Sequence, residues 1–398
     1  MFERLEPVVP DPILGLMSAY RADPDPRKVD LGIGVYRDEH GETPVLAAVR
    51  RAEAELLARQ TTKSYVGPAG AAEFNQLLEQ LVLGATHPAL TARRVRSLQT
   101  PGGCGALRLG AELIRAAAPD AVVHVSTPTW ANHTPLLSGS GLRLERYPYY
   151  DPASGGVQFA AMMAAIERLA PRAVLLLHAS CHNPTGADLS QDQWRELLAL
   201  VKRRQLLPFI DMAYQGLGEG LDADAFGLRL FCAELPEVMC TVSCSKNFGI
   251  YRERTGALQL ISESPAAADA AFSQLVRLAR TMWSMPPDHG AAIVQAILAE
   301  EPLRRQWLGE LDGMRERIQR LRREVVQQLR DACPQRDFGF IGRQRGMFSF
   351  LGISTAEVRA LREHHHVYMT DDSRTNIAGL RSGNLEYFAR AVAQVVAG

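Results

Sequence analysis

The sequence predicts an α/β fold built on a mostly parallel sheet, and two recurring observations predict it. Short, continuously apolar runs at residues 121–125, 173–177, 207–210 and 238–242 each end in a polar loop. Helical patterning lies between them, clearest where Trp194, Leu197, Leu198 and Val201 fall at i, i+3, i+4 and i+7. Strands without polar alternation are covered on both faces, which intervening helices supply. In such sheets ligands sit beyond the carboxyl ends of the strands. Here those ends deliver Trp130, Asn183, Asp211, Tyr214 and Lys246 in order. Each singly has an ordinary structural explanation, but five chemically useful groups at strand exits point to a site.

Length and composition bound the class. The 398 residues allow two or three domains and a sizeable core. Hydrophobic residues make up 46% and charged residues 22%, an ordinary globular balance. Forty-four basic against forty-four acidic side chains give a formal net charge of +0. That argues against a nucleic-acid or anionic-membrane partner, whose affinity would need excess basic charge. Of six cysteines only Cys240 and Cys244 are close, spaced for one face of a strand. No Cys or His cluster has zinc spacing, so no metal is expected. The amino terminus lacks a signal-peptide core and no run reaches membrane-span length, so the expectation is a cytoplasmic protein with reduced thiols.

Taken in order, residues 1–40 are rich in proline, glycine and charge, with an extended piece at 29–35. A helical pattern follows Pro44 through Ala47, Val49, Ala52, Leu56 and Leu57. The loop at 64–70 exposes Tyr65 or packs it as a loop aromatic. Gly102-Gly103-Cys104-Gly105 opens an amphipathic helix, a common turn that is also a ready anion site. Ser190 with Gln193 three residues on forms a capping box.

The stretch Ser243-Cys244-Ser245-Lys246-Asn247-Phe248, with Arg254 beyond it, carries the most chemistry. The lysine amine can condense with a carbonyl cofactor. The hydroxyls and the arginine fork can hold a phosphate. A strand end with a solvated lysine is the plain alternative. Downstream a helix ends at Pro286-Pro287, and a long one spans 303–329 as a bridge to a second domain. Alternation at 346–352 and the segment 369–379 belong to that domain. His364-His365-His366 is read as a solvated helix end rather than a metal site, since adjacent helical residues do not face one another. The division expected is a large domain at 46–312 and a smaller α+β domain from 1–45 plus 313–398.

His182-Asn183-Pro184-Thr185-Gly186, Asp211-Met212-Ala213-Tyr214-Gln215-Gly216 and the Lys246 stretch together resemble the class I, fold type I aminotransferases, specifically the aspartate and aromatic amino acid aminotransferase group. The likeness runs from Asp11-Pro12-Ile13-Leu14-Gly15-Leu16 to Ile377-Ala378-Gly379-Leu380. It implies a three-layer, aspartate-aminotransferase-like transferase that moves an amino group between an L-amino acid, aromatic or aspartate, and 2-oxoglutarate by a ping-pong mechanism on pyridoxal phosphate. By resemblance Lys246 carries the cofactor and then shuttles a proton, Asp211 pairs with the ring nitrogen, and Tyr214 and Asn183 bond the phenolic oxygen. Trp130 covers the ring, and Gly103, Cys104, Ser243, Ser245, Arg254 and a second subunit's Tyr65 hold the phosphate. Arg374 takes the substrate α-carboxylate with Gly34, Trp130 and Asn183 nearby, and a second subunit's Arg280 meets a distal carboxylate. A homodimer with shared sites follows.

Four departures stand out against that pattern. Cys104 replaces a threonine or serine, and Met282 and Trp283 replace the usual Asn and Tyr after the distal arginine. Met285 replaces a residue that is often polar, and Asp372-Ser373 precedes Arg374 where Ser-Gly is common. The alternatives implied are action on a non-proteinogenic amino acid, with Asp372 selecting a cationic or hydroxylated side chain, or a lyase or decarboxylase on the same fold and cofactor.

Overall fold

In the computed structural model, residues 1–7 and 12–397 are described. Asp11, where the family likeness begins, lies outside the described residues. The chain divides into two compact units: Pro44–Arg317 with Gln344–Gly346, and Met1–Thr43 with Ile318–Arg343 and Met347–Gly398.

The larger unit is built on a seven-stranded sheet ordered Val95–Pro101, Thr255–Ile261, Val238–Ser243, Leu207–Met212, Val174–His178, Val122–Thr127, Arg143–Pro148. Thr255–Ile261 is antiparallel to both neighbours, and the pairs from Val238–Ser243 outward are parallel. Val238–Ser243 and Thr255–Ile261 are buried at every position, and the first of them is the apolar run read at 238–242. On one face Leu107 and Ile114 of helix Gly102–Ala117 and Leu275 of helix Pro265–Met282 join Leu98, Val123, Leu176, Phe209, Met239 and Leu258 in one core. Each such side chain contributes roughly 1.5–3 kcal/mol by leaving water.

Helix Gln191–Arg204 begins at the capping box, with Gln193 N donating to Ser190 Oγ and Ser190 N to Gln193 Oε1. It ends at Gln205, left-handed at φ 52, after three basic residues that suit its negative end. Trp194 meets Phe231 edge-on at 5.3 Å. A Cβ on Gly227 would lie 2.3 Å from that indole, so only glycine allows the approach.

Strand direction positions the chemistry. The parallel strands and Val95–Pro101 leave the sheet at one edge, and the antiparallel Thr255–Ile261 begins there. The pairs Thr255↔Pro101 and Gly256↔Ser243 therefore bring Arg254 to the turns that carry Gly103 and Lys246. A parallel strand would have sent it to the opposite edge.

In the smaller unit Val29–Asp30 runs parallel to Val367–Tyr368, and Phe348–Phe350 antiparallel to Arg374–Asn376. Helices Thr355–His365 and Leu385–Ala397 pack over Leu31, Leu321, Val325, Leu329, Val358, Leu361, Val367, Phe388 and Val392. Helix Glu301–Ala332 contains the boundary between units at Arg317, and it buries Leu303, Trp307, Leu311, Met314, Ile318, Leu321 and Val325 as its spacing predicts.

Two expectations are corrected. The strand through Cys240 stops at Ser243, whose Oγ turns to accept from Ser245 N at 3.3 Å, so Cys244 lies past it. Both thiols are buried, and burial pushes Cys244 up to about 12. The histidine run is not wholly solvated. His366 is the left-handed cap of helix Thr355–His365, and its Nδ1 and Nε2 lie 2.7 Å and 3.2 Å from Asp23 and Asp25. Asp23 lies 343 positions from His366, so the contact leaves no local pattern to read.

Candidate active site

The turn after Val238–Ser243 is held from behind. Trp307 Nε1 donates to Asn247 O at 2.8 Å, and its ring stacks on Phe248 at 4.4 Å. This fixes the backbone around Lys246. The chain has four lysines. Lys28 donates to the Tyr20 and Asp23 carbonyls, Lys63 to Gln60, and Lys202 to Glu234. Lys246 is half-buried, and its amine lies 4.9 Å from the Tyr214 ring centroid. Burial pushes this amine below its ordinary pKa, against the pull of Asp211. A partly dehydrated amine is what attack on a carbonyl requires.

Asp211 is buried near the end of Leu207–Met212. Its Oδ1 accepts from Thr241 Oγ1 at 2.7 Å, across the pair Asp211↔Thr241. Its Oδ2 lies 3.2 Å from His133 Nε2. Burial pushes the carboxyl up, but His133, His178 and Thr241 pull it down to about 2. It therefore stands as a carboxylate in a buried place. Behind it His133 Nδ1 is 2.7 Å from Thr129 Oγ1, which lies 3.3 Å from His178 Nε2. Burial holds His178 down at about 3 and His182 well below its ordinary value, so both are neutral. The His178 and His182 rings lie 4.2 Å apart, and Ser126 Oγ is 3.0 Å from His182 Nε2.

His133, Thr241, Thr129 and His178 escape a reading of the sequence for chemistry. The available signal is position: His133 follows Trp130 by three, at the start of helix His133–Ser138, and Thr241 sits two before Ser243 on its strand.

Asn183 Nδ2 donates to Tyr214 Oη at 3.3 Å, while its Oδ1 is buried with no partner. The loop is set by Asp188, whose oxygens accept from Cys181 N at 2.7 Å and His182 N at 2.8 Å. A buried orphan amide oxygen is costly unless something else reaches it. Trp130 is half-buried and meets His133 edge-on at 5.3 Å.

At the start of helix Gly102–Ala117 the chain forms a cradle. Gly102 has φ +69, and a Cβ there would stand 2.7 Å from Arg254 Nη2. A Cβ on Gly103 would be 3.3 Å from that of Ser243. Arg254 Nη1 donates to Ser245 Oγ at 3.3 Å and to Tyr251 O at 3.1 Å. Cys104 is half-buried, with Asn132 Nδ2 3.8 Å from its Sγ. A guanidinium beside a helix start, with two hydroxyls, is a site for a phosphate-like anion. The structure thus gathers Lys246, Asp211, Tyr214, Asn183, Trp130, Gly103, Cys104, Ser243, Ser245 and Arg254 in one unit.

Tyr65 and Arg280 form no hydrogen bond with that cluster. Tyr65 is 88% exposed. Arg280 is exposed and donates to Ser284 Oγ. Val66 N is 3.1 Å from Met285 Sδ, which ties the two segments together on one surface. In the smaller unit Arg374 is 6% exposed, donates to Gly32 O at 2.6 Å and lies 4.8 Å over the Phe348 ring. A Cβ on Gly34 would stand 2.8 Å from Phe348 Cζ. Asp372 Oδ1 accepts from Thr370 Oγ1 at 2.6 Å and Arg374 N at 3.1 Å. Ser373 sits at φ 65, the left-handed region where a Ser-Gly pair would place its glycine.

Among the described residues no helix is long and apolar enough to cross a membrane, and no three or more His, Cys, Asp or Glu are grouped to hold a metal ion. The carbonyl-reactive amine, the buried carboxylate, the orphan amide and the anion cradle fit a ligand with a carbonyl, a ring nitrogen, a phenolic oxygen and a phosphate. Comparison with known proteins agrees. Residues 26–392 match the family described as aminotransferase class I and II. The chain is 48% identical to an aromatic-amino-acid aminotransferase of Pseudomonas aeruginosa, covering 100% of this chain and 99% of that one. It is 42% identical to an aspartate aminotransferase of Escherichia coli, covering 100% of both. An aromatic-amino-acid aminotransferase from Burkholderia pseudomallei, solved covalently bound to pyridoxal phosphate, superposes with TM-score 0.97 at 44% identity over 99% of each chain. The chain belongs to the class I and II aminotransferases, and its cofactor is pyridoxal phosphate.

Proposed function

We propose that this aminotransferase exchanges amino groups between an aromatic L-amino acid, or aspartate, and 2-oxoglutarate in two ping-pong halves. The observation that carries the site is the half-buried Lys246 amine, placed on the Tyr214 ring beside a carboxylate held at about 2.

When bound, pyridoxal phosphate supplies an electron sink for cleavage of the substrate Cα–H bond. Lys246 Nζ would hold the cofactor, and its amine is the group that would take the substrate Cα proton and return it. Desolvation favours the neutral amine that such a base must be. Asp211, kept ionised by His133 and Thr241, would hold a proton on the cofactor's ring nitrogen. Tyr214 and Asn183 orient the phenolic oxygen, and Trp130 covers a ring face. Gly103, Cys104, Ser243, Ser245 and Arg254 take the phosphate. Arg374 clamps the α-carboxylate, with Gly34 leaving space near Phe348.

Tyr65 and Arg280 are assigned to a neighbouring copy's site, which makes the working form a homodimer. Their exposure and the Val66–Met285 contact that joins their segments support this. Arg280 then meets the distal carboxylate of 2-oxoglutarate, while Met282, Trp283 and Met285 lend that surface the adaptable apolar character an aromatic donor needs. Asp372 is engaged in the turn before Arg374, which favours these donors over a cationic or hydroxylated one. None of the six cysteines is in a disulfide, in keeping with a cytoplasmic site of action. A donor panel of phenylalanine, tyrosine, aspartate and lysine with 2-oxoglutarate tests the reading: aromatic donors should lead, and turnover of lysine alone would overturn it.

A further inference from the structure

Five of the six cysteines are buried, and Cys104 is not. Burial pushes Cys232, Cys240 and Cys244 upward, so these thiols stay protonated and enclosed. Cys104 lies in the first turn of helix Gly102–Ala117, between Asn132 Nδ2 at 3.8 Å and the cradle that Arg254 closes over Gly102. The independent sign that a ligand enters this site is Asn183, 6% exposed, whose Nδ2 donates to Tyr214 Oη while its Oδ1 is buried and unpartnered.

We propose that Cys104 is a modification site gated by the cofactor: open to electrophiles when the anion cradle is empty, and shielded when phosphate fills it. This rests on the assignment of the cradle to the cofactor phosphate. With an alkyl iodide the sulfur forms a new carbon–sulfur bond, iodide leaves with the bonding pair, and the thiol proton passes to solvent. The carbamidomethyl group then occupies space that the phosphate needs, so modification and cofactor loading exclude each other. A threonine or serine at this position could take no part in such chemistry, because a neutral hydroxyl is a poor nucleophile.

The test is iodoacetamide labelling of the full chain, native and with cofactor removed, mapped by peptide mass spectrometry. The cofactor-free protein should label at Cys104 and at no other cysteine. Loaded protein should label at least about tenfold more slowly, since occupancy of the site competes directly. Inorganic phosphate alone should slow labelling of the cofactor-free protein, and chloride at equal ionic strength should not. Alkylated protein should fail to take up cofactor, read as missing absorbance of the bound group, whereas protein carried through the same steps without iodoacetamide should take it up. Equal labelling rates with and without cofactor, or a buried cysteine labelling first, would overturn the proposal. Borohydride reduction of the loaded sample separates the two layers. Cofactor mass on Lys246 with unprotected Cys104 rejects only the thiol gate, and cofactor mass elsewhere rejects the site assignment beneath it.

Discussion

His133 Nε2 lies 3.2 Å from Asp211 Oδ2, and both side chains are buried. With a carboxylate as its neighbour, the imidazole keeps a proton on Nε2, while Thr129 faces Nδ1. The pair, with Thr241 on the other oxygen, keeps Asp211 ionised where burial alone would protonate it. His133→Phe removes that support. The expected result is weaker cofactor retention, by about tenfold or more, the scale of one charge-assisted hydrogen bond. Equilibrium dialysis checks it, and unchanged retention would remove His133 from the supporting role.

Asp211 also carries a pH dependence. Its folded pKa of about 2 is below the ordinary 3.8, so the unfolded chain binds its proton more readily. The stability it contributes is present above the ordinary value and is lost as pH falls toward about 2. Acid unfolding of wild type and Asp211→Asn should show a stability gap that closes through that window. A gap constant with pH would contradict it.

Gly102 makes room for a guanidinium. A Cβ at φ +69 and 2.7 Å from Arg254 Nη2 must displace that side chain. Gly102→Ala should therefore lower cofactor affinity by on the order of 1–3 kcal/mol, the cost of a lost charged contact. Fluorescence titration with pyridoxal phosphate measures this directly.

Gly227 does the same for packing alone. Its Cβ position falls 2.3 Å from the Trp194 ring, inside a well-filled layer. Gly227→Ala should destabilise by about 1–3 kcal/mol through overpacking, read by thermal unfolding. Cofactor affinity at low temperature should be unaffected.

Arg280 should separate the two substrate classes. Arg280→Ala should lose roughly a hundredfold in kcat/KM with 2-oxoglutarate, consistent with one charged contact, and much less with aromatic donors. Equal losses for both would remove the distal-carboxylate role.

The sheet and its exits were legible because buried strands have a local signature. Unbroken apolar runs at 174–177 and 238–242 cannot serve a half-exposed sheet, and each polar residue just beyond a run had few other places to go. What stayed hidden depends on contacts between distant segments. His133 reads as one more loop histidine until the sheet order sets Val122–Thr127 two strands from Leu207–Met212 and brings it to Asp211. Thr241 reads as a core residue until its register with Asp211 is known. The contacts of His366 with Asp23 and Asp25 join residues more than three hundred positions apart, and no spacing encodes that. Asp372 looked available to a substrate because its bonds to Thr370 and Arg374 are properties of a turn rather than of a motif.

The most direct measurement is of Lys246 itself. Reduction of the loaded enzyme with borohydride, digestion and mass spectrometry locate the cofactor among the chain's four lysines. The predicted result is a single pyridoxyl-phosphate mass on the peptide containing Lys246, absent from Lys246→Ala, with turnover of that variant lowered by several orders of magnitude. Cofactor mass on Lys28, Lys63 or Lys202, or substantial turnover in Lys246→Ala, would contradict the account.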